Sequence, residues 1–217
     1  MINLAPTFIN INLEDEFQRI ANDLISNYSL RSVTHTYNFA EIEFYLYHTD
    51  HPDKSAHCND HQLEYGHWYF HRYKNGNIKV GTRKGLDITF GNKDRKCYAG
   101  ILIRALQNSK DDRDYIYGPS KVVDRILEDC NCSYLNIEKS DALENEILRI
   151  KQGGTDRKVF ACPRHNLGKN TPEEYLKKRY RFFSYANKVH YGKEKVIIPC
   201  LKERGIDHEI IKREFHR

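Results

Sequence analysis

The chain has 217 residues, of which 39% are hydrophobic, 12% aromatic and 30% charged, and its formal net charge is +5. This length suits one domain, and this share of apolar and aromatic side chains is enough for a packed core, which argues against a disordered chain. The pI near 8.8 permits a nucleic-acid partner without requiring one.

The sequence predicts neither a membrane span nor a secretory leader. No run of about 18 apolar residues is present, and residues 1–7 lack the basic start and long apolar stretch of a signal peptide. We therefore expect an intracellular, cytoplasmic protein. The six cysteines include no Cys-x-x-Cys pair, so we expect reduced thiols.

The first half of the chain shows one helical pattern followed by strand patterns. Residues 14–28 are predicted to form a helix because their apolar side chains recur at helical spacing. Residues 32–47 are β-branched and aromatic and nearly alternate, which predicts at least one strand. Further strands are predicted at 68–70, 77–80, 86–90 and 99–106.

In the second half, residues 108–114 are predicted to form a charged loop. Helices are predicted to begin at Pro119 and near Thr171, where proline and capping residues mark helix starts. Residues 157–162 are a candidate strand. No repeat or linker interrupts the chain, so we expect residues 1–217 to form a single α+β domain with a curved, mostly antiparallel sheet flanked by helices.

Three separated motifs carry chemically suggestive residues. They are Glu-Ile-Glu-Phe-Tyr at 41–45, Ala-Gly-Ile-Leu-Ile-Arg-Ala-Leu at 99–106 and Gly-Pro-Ser-Lys at 118–121. Their order and spacing resemble the alkyladenine (3-methyladenine) DNA glycosylases, where Glu-x-Glu-Ala-Tyr, Leu-Leu-Arg-Ala-Leu and Gly-Pro-(Ser/Gly)-Lys follow one another. Weaker matches to the same family lie at 55–57, 162–168 and 181–183.

The resemblance implies a glycosylase fold similar to the formyltransferase C-terminal-domain-like fold, and an enzyme of base excision repair that acts on DNA damage. Such an enzyme flips a modified base out of DNA and hydrolyses its N-glycosidic bond. The implied partner is double-stranded DNA carrying a modified base, bound at the nucleoid. The resemblance also implies a monomer that needs neither metal nor cofactor. Because no lysine matches a catalytic position, we expect a monofunctional glycosylase.

The matched positions assign catalytic and pocket roles. A carboxylate beside the sugar can deprotonate an attacking water and stabilise the oxocarbenium-like transition state; the resemblance gives this role to Glu43, with Arg104 holding the water and the carboxylate in place. An arginine within an apolar strand also generally needs a partner. Tyr45 is expected on the same sheet face as Glu43 and would stack on the flipped base, with His57 in the same pocket.

The chain departs from the family around the base. Gly81 stands where the family has a pocket tyrosine, Gly91 where it has an asparagine on the pocket floor, and Lys84 where it has a tyrosine wedged into the duplex. If the alignment shifts by one residue, Asn92 takes the floor position instead. Either another side chain refills the space, with Trp68, Tyr69 or Phe70 nearby in sequence, or the pocket accepts a base bulkier than methyladenine, which is our expectation. The predicted DNA contacts are Arg83, Lys84, Leu86, Lys121 and Arg164.

Two other functions remain open from the sequence. Six histidines fall between positions 48 and 71, and His48-x-x-His51 and Cys58-x-x-His61 are tolerable zinc spacings. They suggest a metal-dependent nuclease. The third hypothesis is a nucleic-acid-binding relative that kept the fold and lost the chemistry, with Glu43 displaced.

Overall fold

The long alternating segment predicted as a strand forms the centre of a curved antiparallel sheet. The computed structural model describes residues 3–4, 12–169 and 171–215, and within these ranges ten strands join one sheet shaped like half a barrel. The strands are β1 (Tyr28–Arg31), β2 (Thr36–His48), β3 (His51–Pro52), β4 (Tyr65–Phe70), β5 (Leu86–Phe90), β6 (Tyr98–Asn108), β7 (Tyr115–Tyr117), β8 (Arg149–Gln152), β9 (Phe160–Cys162) and β10 (Arg181–Phe183).

Strand β2 has neighbours on both edges. One edge pairs with β6 over nearly its whole length, and the other pairs in turn with β1, β10 and β3. The main path of the sheet runs β4-β5-β6-β2-β1-β8. This arrangement confirms the predicted α+β class with a curved antiparallel sheet.

Helices cover the apolar face of the sheet and the C-terminal side. They are α1 (Leu13–Asn27), α2 (Pro119–Cys130), α3 (Glu173–Lys177), α4 (Ile198–Glu203), which continues a π-helical turn (Lys193–Ile197), and α5 (His208–Phe215).

Helix α1 buries its apolar stripe against β2. Phe17 stacks on Phe44 with ring centroids 4.5 Å apart, and Ile42 and Leu46 join the same buried cluster. Since side chains alternate across a strand, the opposite face of β2 carries Glu43 and Tyr45. The helix side of the sheet is therefore the core, and the other side is available for chemistry.

The predicted elements agree with the structure in most places. The first helix and the strand at 86–90 have the expected bounds to within one residue. Residues 77–80 do not form the expected strand: after the turn, a single bridge joins Arg72 to Ile78. The sequence did not predict β7 or the two C-terminal helices.

Within the described ranges, no helix has the length and apolar character needed to cross a membrane. Residues 1–2 and 5–11 lie outside the described residues. The expectation of no signal peptide was based on residues 1–7, so most of that segment is not described.

Candidate active site

A local irregularity in the central strands places charged side chains together. The pairing of β2 with β6 shifts register on both sides of Glu41, as at a β-bulge. On a regular strand, side chains three residues apart lie on opposite faces. Phe39 and Ile42 nevertheless both pack into the main apolar cluster. On the face opposite the core, Arg104 of β6 donates hydrogen bonds to both Glu41 and Glu43 of β2.

Glu41 is fully buried and has three charged or polar partners. Its Oε1 accepts hydrogen bonds from Arg104 Nε (2.8 Å) and Arg181 Nε (2.9 Å), and its Oε2 lies 2.7 Å from His190 Nδ1. Burial alone would raise the pKa of Glu41, but Arg181, His190 and Arg104 outweigh it and lower the pKa to about 2. Glu41 is therefore a permanently charged anchor of the site.

Glu43 is equally buried but is held at one oxygen. Its Oε2 accepts hydrogen bonds from the Tyr45 hydroxyl (2.6 Å) and from Arg104 Nη1 (3.1 Å). Its Oε1 has no hydrogen-bond partner among the described residues. A buried polar atom without a partner is rare in proteins and calls for a functional or solvent partner. The carboxylate is fixed in place with one oxygen left to bind water or substrate.

Tyr45 connects Glu43 to a neighbouring cavity. Its hydroxyl donates to Glu43, and burial together with that carboxylate raises its pKa, so the hydroxyl stays protonated. The guanidinium of Arg164 lies 4.6 Å from the Tyr45 ring centroid, and Arg164 is itself paired with buried Asp53 at 2.7 Å. The ring orientation is thus set from two sides.

The cavity has a volume of about 530 Å³, within the usual range for small-ligand sites. Tyr45 and His57 both line it, as the resemblance implied. The rest of the lining is mostly polar, and sequence reasoning did not assign these residues: Lys54, Ser55, Gln62, His71, Lys79, Asp87, Asn166, Leu167, Gly168, Lys169 and Thr171.

His57 is held by a lysine. Lys79 Nζ lies 2.9 Å from His57 Nε2, and because an ammonium only donates, the ring nitrogen accepts. Burial, His71 and Lys79 together lower the pKa of His57 to about 2. His57 is therefore neutral at physiological pH.

A buried Asp-His pair forms another part of the cavity wall. Asp87 Oδ1 lies 2.7 Å from His71 Nε2, and Asp87 Oδ2 accepts from Gln62 Nε2 at 3.2 Å. Gly100 of β6 makes room for this pair, since a Cβ there would lie 2.5 Å from Asp87 Oδ2. Both carboxylate oxygens of Asp87 are thus occupied by neighbouring side chains.

The two glycines do not enlarge the cavity, which corrects the sequence-based expectation. Gly81 is exposed on a short 3₁₀ turn, with φ near +60°, and is not part of the cavity lining. Gly91 is buried, but a Cβ there would lie 1.8 Å from the Gln62 carbonyl oxygen. Neighbouring backbone fills the space that a larger residue would need, so neither glycine leaves a void.

The predicted DNA contacts divide into exposed and buried residues. Arg83 and Lys121 are exposed, and Lys84 forms an ion pair with Asp124 of α2. The predictions for Leu86 and Arg164 are wrong: Leu86 is fully buried in the core, and the Arg164 side chain is fully buried with Asp53. Leu86 is buried because it lies on the apolar face of β5. Arg164 is buried because it compensates the charge of Asp53.

The histidine-rich segment does not assemble the proposed zinc ligands. His51 packs on Tyr175, His61 lies 3.7 Å from Glu138, and His71 is bound to Asp87. In the part of the chain that the structure describes, no three His, Cys, Asp or Glu side chains are arranged to hold a metal ion.

Sequence reasoning also missed three residues of the charged cluster. Glu41 and Arg181 lie within matched motifs that assign them no role, and no motif in the sequence includes His190. An arginine in an apolar strand, as at Arg181, is the signal that could have identified one of them.

No family model matches the sequence. Among curated proteins, the chain is similar to "Uncharacterized protein L759" of Acanthamoeba polyphaga mimivirus, with 34% identity over 172 residues that cover 71% of this chain and 79% of the relative.

Proposed function

Because this chain belongs to the same family as uncharacterized protein L759 of Acanthamoeba polyphaga mimivirus, whose name assigns no activity, we propose a function from the site itself. The protein is a monofunctional DNA N-glycosylase that flips a modified base from DNA and hydrolyses its bond to the sugar. Its curved sheet and helices are then an alkyladenine-glycosylase-like fold.

The observation that carries this proposal is the state of Glu43. It is buried, its Oε2 is held by Tyr45 and Arg104, and its Oε1 has no partner among the described residues. A general base needs such a fixed carboxylate with a lone pair available to a water. An ordinary solvated glutamate on a strand would have none of these features.

The chemistry follows from the arrangement. Water bound at Glu43 Oε1 attacks C1′ of the flipped nucleotide and gives its proton to the carboxylate. The C1′–N bond breaks, its electron pair leaves with the base, and the base takes up a proton. The products are a free base and an abasic sugar. The negative charge of Glu43 also stabilises the oxocarbenium-like sugar as the bond breaks.

The cavity supports base flipping. Tyr45 lines it with an aromatic ring and also contacts Glu43, so a base held against that ring lies next to the carboxylate. A flipped base is commonly held by stacking on an aromatic ring and by hydrogen bonds to its edge. Lys79 lines the cavity and provides such a group, because its ammonium has further donors beyond the one given to His57.

The main experiment measures free bases released from a panel of modified DNA duplexes by mass spectrometry. We expect release of a modified base, an abasic site without strand cleavage, no adduct trapped by borohydride, and activity that survives EDTA. A trapped adduct would refute the water-nucleophile mechanism.

Two outcomes separate the alternatives. Loss of activity with EDTA, restored by a divalent metal, favours a metal-dependent nuclease. DNA binding without release of any base favours the non-catalytic relative.

A further inference from the structure

The charge of the cavity points to the kind of base it accepts. Among the lining residues that the structure describes, three are lysines, Lys54, Lys79 and Lys169, against one carboxylate, Asp87. Both oxygens of Asp87 already interact with His71 and Gln62. The cavity therefore presents an excess of positive charge to whatever enters it.

Lys79 is the most constrained of these lysines. Its side chain is half-buried, whereas Lys54 and Lys169 are exposed. Its ammonium donates to the neutral ring of His57, and no ion pair joins it to a carboxylate within the described ranges. The ammonium thus lies at the cavity wall with no described carboxylate in direct contact, and Asp87 acts on it only from a distance.

We propose that the cavity selects a base with an anionic ring or substituent, and that Lys79 is the residue that determines this specificity. The inference rests on the proposed base excision. A purine alkylated at N3 or N7 carries a positive charge in the nucleotide, so it would face Lys79 as a like charge. An anionic base would instead gain a partly buried ion pair, where charge interactions are stronger than in water.

The positive charge of this cavity is the opposite of what a pocket for cationic bases needs. Such a pocket would offer an uncommitted carboxylate or an aromatic box to the base. Here the aromatic ring of Tyr45 already lies against the Arg164 guanidinium, and Asp87 is committed to its neighbours. The carboxylate among the described lining residues is that of Asp87, so a cationic base would find no uncommitted negative group in this part of the wall.

Three purines of similar size test this proposal: xanthine, which is largely anionic in DNA at neutral pH, neutral hypoxanthine, and cationic 7-methylguanine. Each is placed in the same duplex opposite the same partner. Binding is measured with Glu43→Gln, which holds the base without releasing it. Release by the wild-type protein is expressed as enhancement over spontaneous loss, because a cationic base leaves more easily on its own.

We expect xanthine to be preferred over 7-methylguanine by at least about tenfold in both measurements. Lys79→Gln should remove most of this preference and Lys79→Arg should keep it. Lys74→Gln is the matched control, because Lys74 is exposed on the same turn region and does not line the cavity. Thermal melting of each variant establishes that it is folded.

The outcomes distinguish this inference from the proposed function. If bases are released but 7-methylguanine is preferred, or if the preference is the same in Lys79→Gln, the inference is wrong and the glycosylase proposal stands. If no base is released but Glu43→Gln still binds xanthine preferentially through Lys79, the cavity inference stands and the hydrolytic proposal fails. If there is neither release nor selective binding, both are wrong.

Discussion

Glu41 and Glu43 are two residues apart on one strand, both are fully buried, and both contact Arg104, yet their surroundings differ. Glu41 has partners at both oxygens, including a second arginine and His190. Among the described residues, Glu43 has partners at one oxygen only, and one of them is a tyrosine that lines the cavity.

Under the proposed function, this difference separates a structural carboxylate from a catalytic one. A buried charge is tolerated when several partners compensate it, and removal of a partner then costs stability. A carboxylate that acts as a base must keep a lone pair free. If the proposal holds, the same residue type serves opposite purposes in one strand, and variants of each glutamate and its partners test one side of this contrast.

The largest expected effect is on catalysis at Glu43. Glu43→Gln keeps the size of the side chain but removes the base, so the rate of base release should fall by roughly 10²–10⁴. Single-turnover kinetics on the best duplex found in the release panel measure this, and a gel-shift assay should show DNA binding retained. Near-normal turnover would remove Glu43 from the chemistry.

The next effect is on stability at Glu41. Glu41→Gln leaves Arg104 and Arg181 buried without their shared carboxylate, and we expect a loss of about 3–5 kcal/mol in the free energy of unfolding. Urea denaturation followed by circular dichroism measures it. Glu43→Gln, which changes one charge rather than the shared partner of two arginines, is the control and should lose less. Equal losses in the two variants would contradict the contrast between the two glutamates.

A smaller effect is expected at Tyr45. Tyr45→Phe removes only the hydroxyl that holds Glu43 Oε2, and a hydrogen bond to a charged group contributes roughly 1.5–3 kcal/mol. We expect release to slow by about tenfold or more, with the aromatic wall of the cavity intact. Measurement of kcat and KM separates the two roles: a fall in kcat alone fits positioning of the base, whereas a rise in KM alone would assign Tyr45 to substrate binding only.

The smallest effect is on the pH dependence of stability. Glu41 has a pKa of about 2 in the folded protein against an ordinary 4.5, so its contribution is complete above about pH 4.5 and is lost as the pH falls toward 2. His57 has a pKa of about 2 against 6.5. The unfolded chain therefore takes up a proton at His57 below pH 6.5 while the folded protein does not, and stability declines from that point downward.

Between pH 7 and 5 the decline should thus come from His57, with a further part from His51, whose burial lowers its pKa to about 4, and not from Glu41. Melting temperatures across this range should fall less in His57→Gln than in the wild type, whereas Glu41→Gln should keep the wild-type slope. A wild-type slope in His57→Gln would show that His57 is not held neutral.

Local patterns predicted much of the fold. Helix α1 and strands β5 and β6 were predictable because their apolar residues recur at one period within a single segment. The strand expected at 77–80 failed because that segment makes one bridge, to Arg72, instead of a ladder. Strand β7 has three residues, too few to show a period.

The sequence by itself determined Glu43, Arg104 and Tyr45 as candidates, since their motifs are contiguous and their side-chain faces follow from strand alternation. Only the tertiary structure decided their roles. The contacts that distinguish Glu41 from Glu43 come from Arg181 and His190, which are 140 and 149 residues from Glu41 along the chain. The cavity likewise joins His57, Lys79 and Asp87 from separate segments, and Gly91, which suggested a larger pocket, lies against the backbone of Gln62. Such contacts depend on how the sheet curves and which strands become neighbours, and no local pattern records that.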